Sequence, residues 1–319
     1  MSTWVMILLI ILGLAMLWVG ADSFIKGSSA LASKFHVSEL TVGLTIVAFG
    51  TSAPELLVNA FASWSGNDEI VFGNIIGSNQ FNLFMILSIT GLITPTMVQS
   101  TTAWREIPFS LIALLILFVL ANDCELFNKG TCQLSRPDGL FMLLVFFLFL
   151  FYVSRQLSHD RIAREKVTMP VRNRRIAWLM IIGMAGLMAG GKLVPGFAAE
   201  LALRLHISEK LIAITLVAAG TSLPELATSV VAAARRNHDI AVGNIIGSNI
   251  FNILFILPVS SLIRPLRFNV SFNKDIGYLA GGTVLFLIAM YTGKKYRIDR
   301  WEAFVLLATY IIYTIFFIQ

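Results

Sequence analysis

The sequence predicts an all-α integral membrane protein whose ten transmembrane helices form two inverted five-helix repeats. Three observations predict it. The chain of 319 residues is 57% hydrophobic and only 13% charged, with a mean hydropathy of +0.80, whereas soluble domains carry about 25% charged residues. Ten apolar segments approach spanning length, at 4–21, 40–64, 70–92, 107–121, 138–153, 176–194, 211–234, 240–263, 276–292 and 301–318. A long stretch also occurs twice. Residues 40–91 return in 211–261 at an offset of 170 positions, so Gly50, Glu55, Ser78 and Asn82 become Gly220, Glu225, Ser248 and Asn252. Even His36-Val37-Ser38-Glu39 returns as His206-Ile207-Ser208-Glu209. This is duplication.

Charge placement sets the orientation. Loop 154–175 holds seven basic residues: Arg155, Arg161, Arg164, Lys166, Arg172, Arg174 and Arg175. With that loop in the cytoplasm, alternation places 16 of the 24 Lys and Arg residues inside, as the positive-inside rule asks. Both termini are then external, in a multi-pass protein of the plasma (inner) membrane. Five spans per half is an odd number, so the second copy inserts upside down. The expected organisation is a first repeat at 1–153, a basic cytoplasmic linker at 154–175 and a second repeat at 176–319. The net charge of +6 is thereby assigned to topology and to anionic lipid, not to nucleic acid.

Segment 4–21 is apolar with Trp4 and Trp18 near its ends, and reads as a mature helix because no basic leader or A-x-A site accompanies it. Asp22, Lys26 and Lys34 read as solvated residues of a short connection, as do Lys192, Pro195 and Arg204 in its counterpart, Gly191 to Glu209. Segments 40–64 and 70–92 carry the polar interruptions. Segments 107–121 and 138–153, with the run Phe146-Phe147-Leu148-Phe149, read as scaffold facing lipid. The last five segments repeat the first five. His36, His159, His206 and His238 flank the repeats or lie in loops and read as solvated. Cys124 and Cys132 share one external loop, where either a disulfide or two free thiols fits, and no zinc-like spacing appears. GTSAPE and GNIIGSN lack the Lys and the preceding strand of a phosphate loop, and no nucleophile elbow is present, so the chain does not read as an enzyme.

The interruptions carry the chemistry. A carboxylate inside a membrane helix costs roughly 2.5–3.5 kcal/mol or more and so faces a bundle interior or wet cavity. Pro54 has no N–H, and its ring clashes with the carbonyl of Gly50. Carbonyls near Gly50 are therefore released, which membrane depth tolerates only in a protein-lined site. Ala48, Thr51 and Glu55 fall on one helix face, and Asn74, Ser78 and Asn82 form a stripe at i, i+4 and i+8. The second copy supplies Ala218, Thr221 and Glu225 with Asn244, Ser248 and Asn252. Ser52, Ser222, Pro54, Pro224, Gly50, Gly220, Asn79 and Asn249 support the set, and Asn79 and Asn249 fit equally a role in holding the broken backbone. Gly43, Gly77, Gly247 and Ser229 read as helix packing. Oxygen-only ligands suit hard cations such as Ca²⁺ or Na⁺. Two glutamates balance one Ca²⁺ or two Na⁺. Broken helices of inverted repeats meeting near the midplane are the usual site of a secondary transporter.

The paired G-T-S-x-P-E and G-N-I-I-G-S-N-x-F-N motifs resemble the two alpha-repeats of the cation/Ca²⁺ antiporter superfamily, most closely the prokaryotic sodium/calcium exchangers and the bacterial YrbG-like branch. The motifs cover about 100 of the 319 residues, and the 5+5 arrangement covers the whole chain. The resemblance implies the sodium/calcium exchanger fold, with Glu55 and Glu225 as central Ca²⁺ ligands joined by Thr51 and Thr221. It implies Na⁺ sites that add Ser78, Ser248 and the carbonyls of Ala48 and Ala218. Asn82 matches the motif's last position, and Asn252 stands where some archaeal members have aspartate, which bears on the number of coupling ions and on K⁺ dependence. Segments 4–21 and 176–194 would form the sliding gate. The expected activity is exchange of Ca²⁺ for Na⁺ by alternating access, with the transported ions as substrates, no cofactor and no obligate protein partner beyond the bilayer. H⁺/Ca²⁺ or K⁺-dependent antiport is the alternative, since two acids can also bind two protons. The hydroxyl stripes favour Na⁺. A cation channel is the distant alternative, because a channel more naturally uses an oligomeric ring.

Overall fold

The computed structural model describes residues 2–124, 131–160, 173–204 and 220–317, the side chains of 156–160 and 316–317 excepted. These residues are almost entirely helical. In order they form α1 (Thr3–Phe35), the broken pair α2 (Glu39–Thr51) and α3 (Ala53–Trp64), α4 (Asp68–Ile93) and α5 (Thr102–Ala121). There follow α6 (Arg136–Asp160), α7 (Asn173–Arg204), α8 (Leu223–Ala234), α9 (His238–Ile263), α10 (Asn273–Ala289) and α11 (Arg300–Phe317). Among the described residues α1, α4, α5, α6, α7 and α9 are long and apolar enough to cross a bilayer, and α2 with α3, bent by 47°, makes a seventh if counted as one span. The first half of segment 211–234 lies outside the described residues, as do His206 and most of the 154–175 linker.

The connections expected after segments 4–21 and 176–194 are helix instead. α1 runs 33 residues, about 50 Å at 1.5 Å per residue. Ala21, Phe24, Ile25, Ser28 and Ala32 continue a buried stripe past the lipid-length segment; Lys26 and Lys34 are exposed, whereas Asp22 is half-buried and pairs with Arg235 at the end of α8. α7 likewise continues through Lys192 and Pro195 to Arg204. His36 closes α1 in the left-handed conformation, φ 54°, exposed as expected. His238 is the first residue of α9 rather than a loop residue, and it is half-buried.

α1 and α7 cross at backbone contact. A Cβ on Gly183 would fall 2.6 Å from the Phe24 nitrogen, and one on Gly190 2.6 Å from the Gly13 carbonyl oxygen, so only glycine permits this approach. The same holds between α2 and α9, where a Cβ on Gly43 would lie 3.1 Å from the Ile240 carbonyl and one on Gly247 2.7 Å from that of Leu44. Gly43 and Gly247 thus pack as expected. Gly77 has no neighbour within 4 Å among the described residues; the mirror positions of Leu44 and Ala48, Ile214 and Ala218, fall in 205–219.

Two short antiparallel ladders tie the halves. β1 (Thr96–Met97) pairs with β4 (Arg297–Ile298), Thr96 opposite Ile298. β2 (Gln133–Leu134) pairs with β3 (Leu266–Arg267), Gln133 opposite Arg267. β1 precedes α5 and β2 follows it, so the ladders lie at opposite ends of that helix. Beside the second ladder, Cys124 and Cys132 form a disulfide with Cα atoms 4.7 Å apart. Phe147 and Leu148 are each 58% exposed, consistent with a lipid-facing scaffold, whereas Phe146 and Phe149 are buried. Phe146 packs on Phe251 with ring centroids 4.9 Å apart, so α6 has a core face as well as a lipid face. Two buried acids, Glu106 and Glu302, were not anticipated. Tyr152 donates to Glu106 at 3.0 Å, and the Asp299 backbone N–H to Glu302 at 2.7 Å.

Candidate functional site

The break between α2 and α3 falls at Ser52, and Ser222 stands at the repeat-equivalent position. Ser52 occupies the N-cap position of α3 and Ser222 that of α8, each followed by a proline in the first turn, and neither side chain caps its own helix. Each hydroxyl instead donates across to the other repeat. Ser52 Oγ reaches Glu225 Oε1 at 2.9 Å, and Ser222 Oγ reaches Glu55 Oε1 at 3.0 Å. The two acids sit in the first turns of α3 and α8, where the N-terminal end of the helix dipole favours negative charge. Glu55 is 0% and Glu225 1% exposed. Among the described residues no basic side chain pairs with either.

The stripes on α4 and α9 complete the site. Both helices pass through π-helical turns, Phe81–Ile86 and Asn252–Ile256, a feature frequent at functional sites. Asn82 Nδ2 donates to Asn249 Oδ1 at 3.1 Å, and Asn252 Nδ2 to Asn79 Oδ1 at 2.9 Å. Asn79 Nδ2 donates to the Asn249 carbonyl at 3.3 Å. Asn79 and Asn249 therefore aim the Asn82 and Asn252 amides as well as tying backbone. The buried oxygens without a protein partner among the described residues include six from the expected set: Oε2 of Glu55 and Glu225, Oγ of Ser78 and Ser248, and Oδ1 of Asn82 and Asn252. They form three pairs at the repeat offset. Natively buried polar atoms are overwhelmingly hydrogen-bonded, so such a set of acceptors fits a cation ligated by oxygen.

Of the remaining expected residues, Thr51 is buried and Thr221 half-buried. The Ala48 carbonyl accepts the Ser52 N–H at 3.0 Å and faces Thr51 Oγ1 at 3.3 Å, so it is not fully released; Ala218 lies outside the described residues. Pro54, Thr221 and Pro224 border a cavity of about 460 Å³ that α7 lines with Met188, Lys192 and Pro195. Gly50, by contrast, is covered by Phe24 and Met184. Sequence reasoning missed Asn59. Its Nδ2 donates to the Glu55 carbonyl at 2.7 Å and to Asn74 Oδ1 at 2.8 Å. Its place one turn after Glu55 was the available signal. Ser229, assigned to packing, also takes the Asn244 amide at 3.0 Å.

A broken helix and the repeat-equivalent start of α8, set around buried oxygens without partners among the described residues, are the architecture of a membrane transport protein. The chain belongs to the sodium/calcium exchanger protein family, whose profile matches residues 5–155 and 175–319. It is similar to the inner membrane protein YrbG of Escherichia coli, 33% identical over 290 residues covering 88% of this chain and 87% of the relative. It is 32% identical over 348 residues to the sodium/calcium exchanger MaX1 of Methanosarcina acetivorans, covering 97% of each. Among solved structures it resembles the sodium-calcium exchanger NCX_Mj soaked with Na⁺ and Ca²⁺, with a TM-score of 0.81 and 31% identity over 99% of each chain.

Proposed function

We propose that this protein is a secondary active antiporter that exchanges Ca²⁺ for Na⁺ across the plasma membrane by alternating access, and is not an enzyme. The observation that carries the reading is the set of three repeat-related pairs of buried oxygens without protein partners among the described residues, two of them carboxylate oxygens. Two buried acids with no basic partner among the described residues need a cation to balance them, and one Ca²⁺ or two Na⁺ supply the same charge. Glu55 and Glu225 hold Ca²⁺ with Thr51 and Thr221. Ser78, Ser248, Asn82 and Asn252, with the carbonyls of Ala48 and Ala218, serve Na⁺ or both ions. The names of MaX1 and NCX_Mj support the pairing of ions.

The ten-span, inverted arrangement belongs to this proposal, with repeats at 1–153 and 176–319 joined by the basic linker at 154–175. The ladders support it. β1 and β3 are repeat equivalents (96 and 266), yet β3 pairs with β2 at the end of α5 opposite to β1, as inversion requires. The basic linker supports a cytoplasmic assignment and external termini. The test is Ca²⁺ uptake into proteoliposomes under an imposed Na⁺ gradient, set against a proton gradient. Uptake that follows only the proton gradient rejects the Na⁺ assignment.

A further inference from the structure

The two copies of the site differ at a position that reaches the threonines, Asn59 in the first and Ser229 in the second, and the difference reverses the polarity of the network around the threonines. Asn59 faces the Glu55 backbone carbonyl at 2.7 Å, so the atom there is the amide nitrogen, because two oxygens would repel at that distance. The same nitrogen gives its second hydrogen to Asn74, 2.8 Å away, so Asn74 turns its oxygen to Asn59 and its nitrogen to Thr221 Oγ1 at 3.3 Å. In the second copy the shorter Ser229 leaves this work to the other amide. Asn244 Nδ2 itself faces the Glu225 carbonyl at 3.4 Å and Ser229 Oγ at 3.0 Å, so its Oδ1 meets Thr51 Oγ1 at 3.0 Å. Thr51 therefore confronts acceptors only: Asn244 Oδ1, the Ala48 carbonyl at 3.3 Å and the Glu225 carboxylate. Its one hydrogen is committed there.

We propose that Asn59 is a positioning residue that makes the two halves of the ion site unequal: by turning the Asn74 amide it sets an N–H against Thr221 and leaves Thr51 the stronger cation ligand. Thr51 keeps both lone pairs for the ion. Thr221 has one occupied by an N–H whose positive end also opposes a cation. Asn59 Oδ1 is itself buried without a partner, a desolvation cost that the serine of the second copy avoids, so local packing does not account for the asparagine. The inference rests on the reading of Glu55 and Glu225 as the centre of a Ca²⁺ site.

The test measures equilibrium Ca²⁺ binding to the purified full-length chain. In the otherwise unaltered protein, Thr51→Val weakens Ca²⁺ affinity about tenfold more than Thr221→Val does, the ratio expected for one lost oxygen contact to a charged group. In an Asn59→Ser background Asn74 is free to turn as Asn244 does, and the two losses become equal. Ser229→Asn, the mirror change, removes the advantage of Thr51 and provides the same test if Asn59→Ser does not fold. Equal losses in the unaltered protein, or a ratio that neither background moves, overturn the role of Asn59. Glu55→Gln separates the two levels. If it retains full Ca²⁺ affinity, the site reading itself fails, whereas loss of binding together with equal threonine effects sinks only the asymmetry.

Discussion

Neutralising one acid has opposite effects with and without the cation. Glu225 has Oε1 held by Ser52 at 2.9 Å, while its buried Oε2 has no partner among the described residues. An unsatisfied buried group costs about 1–3 kcal/mol, more when charged, and a second buried carboxylate adds repulsion. Glu225→Gln preserves the side-chain volume and the Ser52 bond, so it stabilises the cation-free protein by about 1 kcal/mol or more. The unaltered protein gains about 2.7 kcal/mol from a cation at one hundred times its dissociation constant, and the variant loses nearly all of that. Thermal unfolding of the purified protein in chelator and in Ca²⁺ reads both signs. Glu225→Gln is expected to melt higher in chelator and to show no Ca²⁺ shift. A variant that melts lower in chelator, or keeps the shift, refutes the argument that these carboxylates are strained for want of a cation.

Gly247→Val places atoms within 2.7 Å of the Leu44 carbonyl and of Ala48 Cβ. Overpacking of this kind costs about 1–3 kcal/mol and drives α9 from α2, so ion binding at the adjacent Ser248 falls, as a binding assay on folded protein will show. Asn79→Leu removes the acceptor that orients Asn252; Na⁺ affinity is expected to fall about tenfold, with Ca²⁺ affinity less affected. Reducing the Cys124–Cys132 disulfide, which spans eight residues, lowers stability by about 2.5 kcal/mol on the loop-entropy account and leaves transport intact, because the bond lies beside the β2–β3 ladder, away from the acids.

The acids, their breaks and the stripes were legible because duplication writes each of them twice: a carboxylate with proline in an apolar run has few explanations, and a second copy at a fixed offset removes most of those. What stayed hidden is set by tertiary contact. Residues 22–35 look like a connection because charges interrupt the apolar run, yet Phe24, Ile25, Ser28 and Ala32 keep helical spacing against a neighbour the linear sequence does not display. The π turns at Asn82 and Asn252 leave no compositional mark. Asn59 escaped for a related reason. The repeat comparison rewards identity, and Asn59 matters where the copies differ.

A second difference between the copies concerns the two ends of the pathway. Asp22 on α1 pairs with Arg235 at the end of α8 and with Lys26 at 2.7 Å, and Asn237 donates to Ser29 at 3.2 Å, while Phe24 covers Gly50. The mirror positions of Asp22 and Arg235 are Lys192 and Ser65, which cannot form an ion pair, and there the structure has the cavity beside Thr221 instead. On the proposed topology the ion pair closes the cytoplasmic end and the cavity opens outside. Asp22 is 21% and Arg235 41% exposed, so the pair contributes at most about 1 kcal/mol. Asp22→Asn then shifts the balance toward the inward-open form by on the order of fivefold. Ser28→Cys supplies the probe: Ser28 is fully buried on α1, and the native cysteines are paired. Its labelling by an impermeant maleimide from the cytoplasmic side should rise by that factor when Asp22→Asn is added. An unchanged rate, or a rise from the outside, would show that this ion pair does not hold the inner end shut.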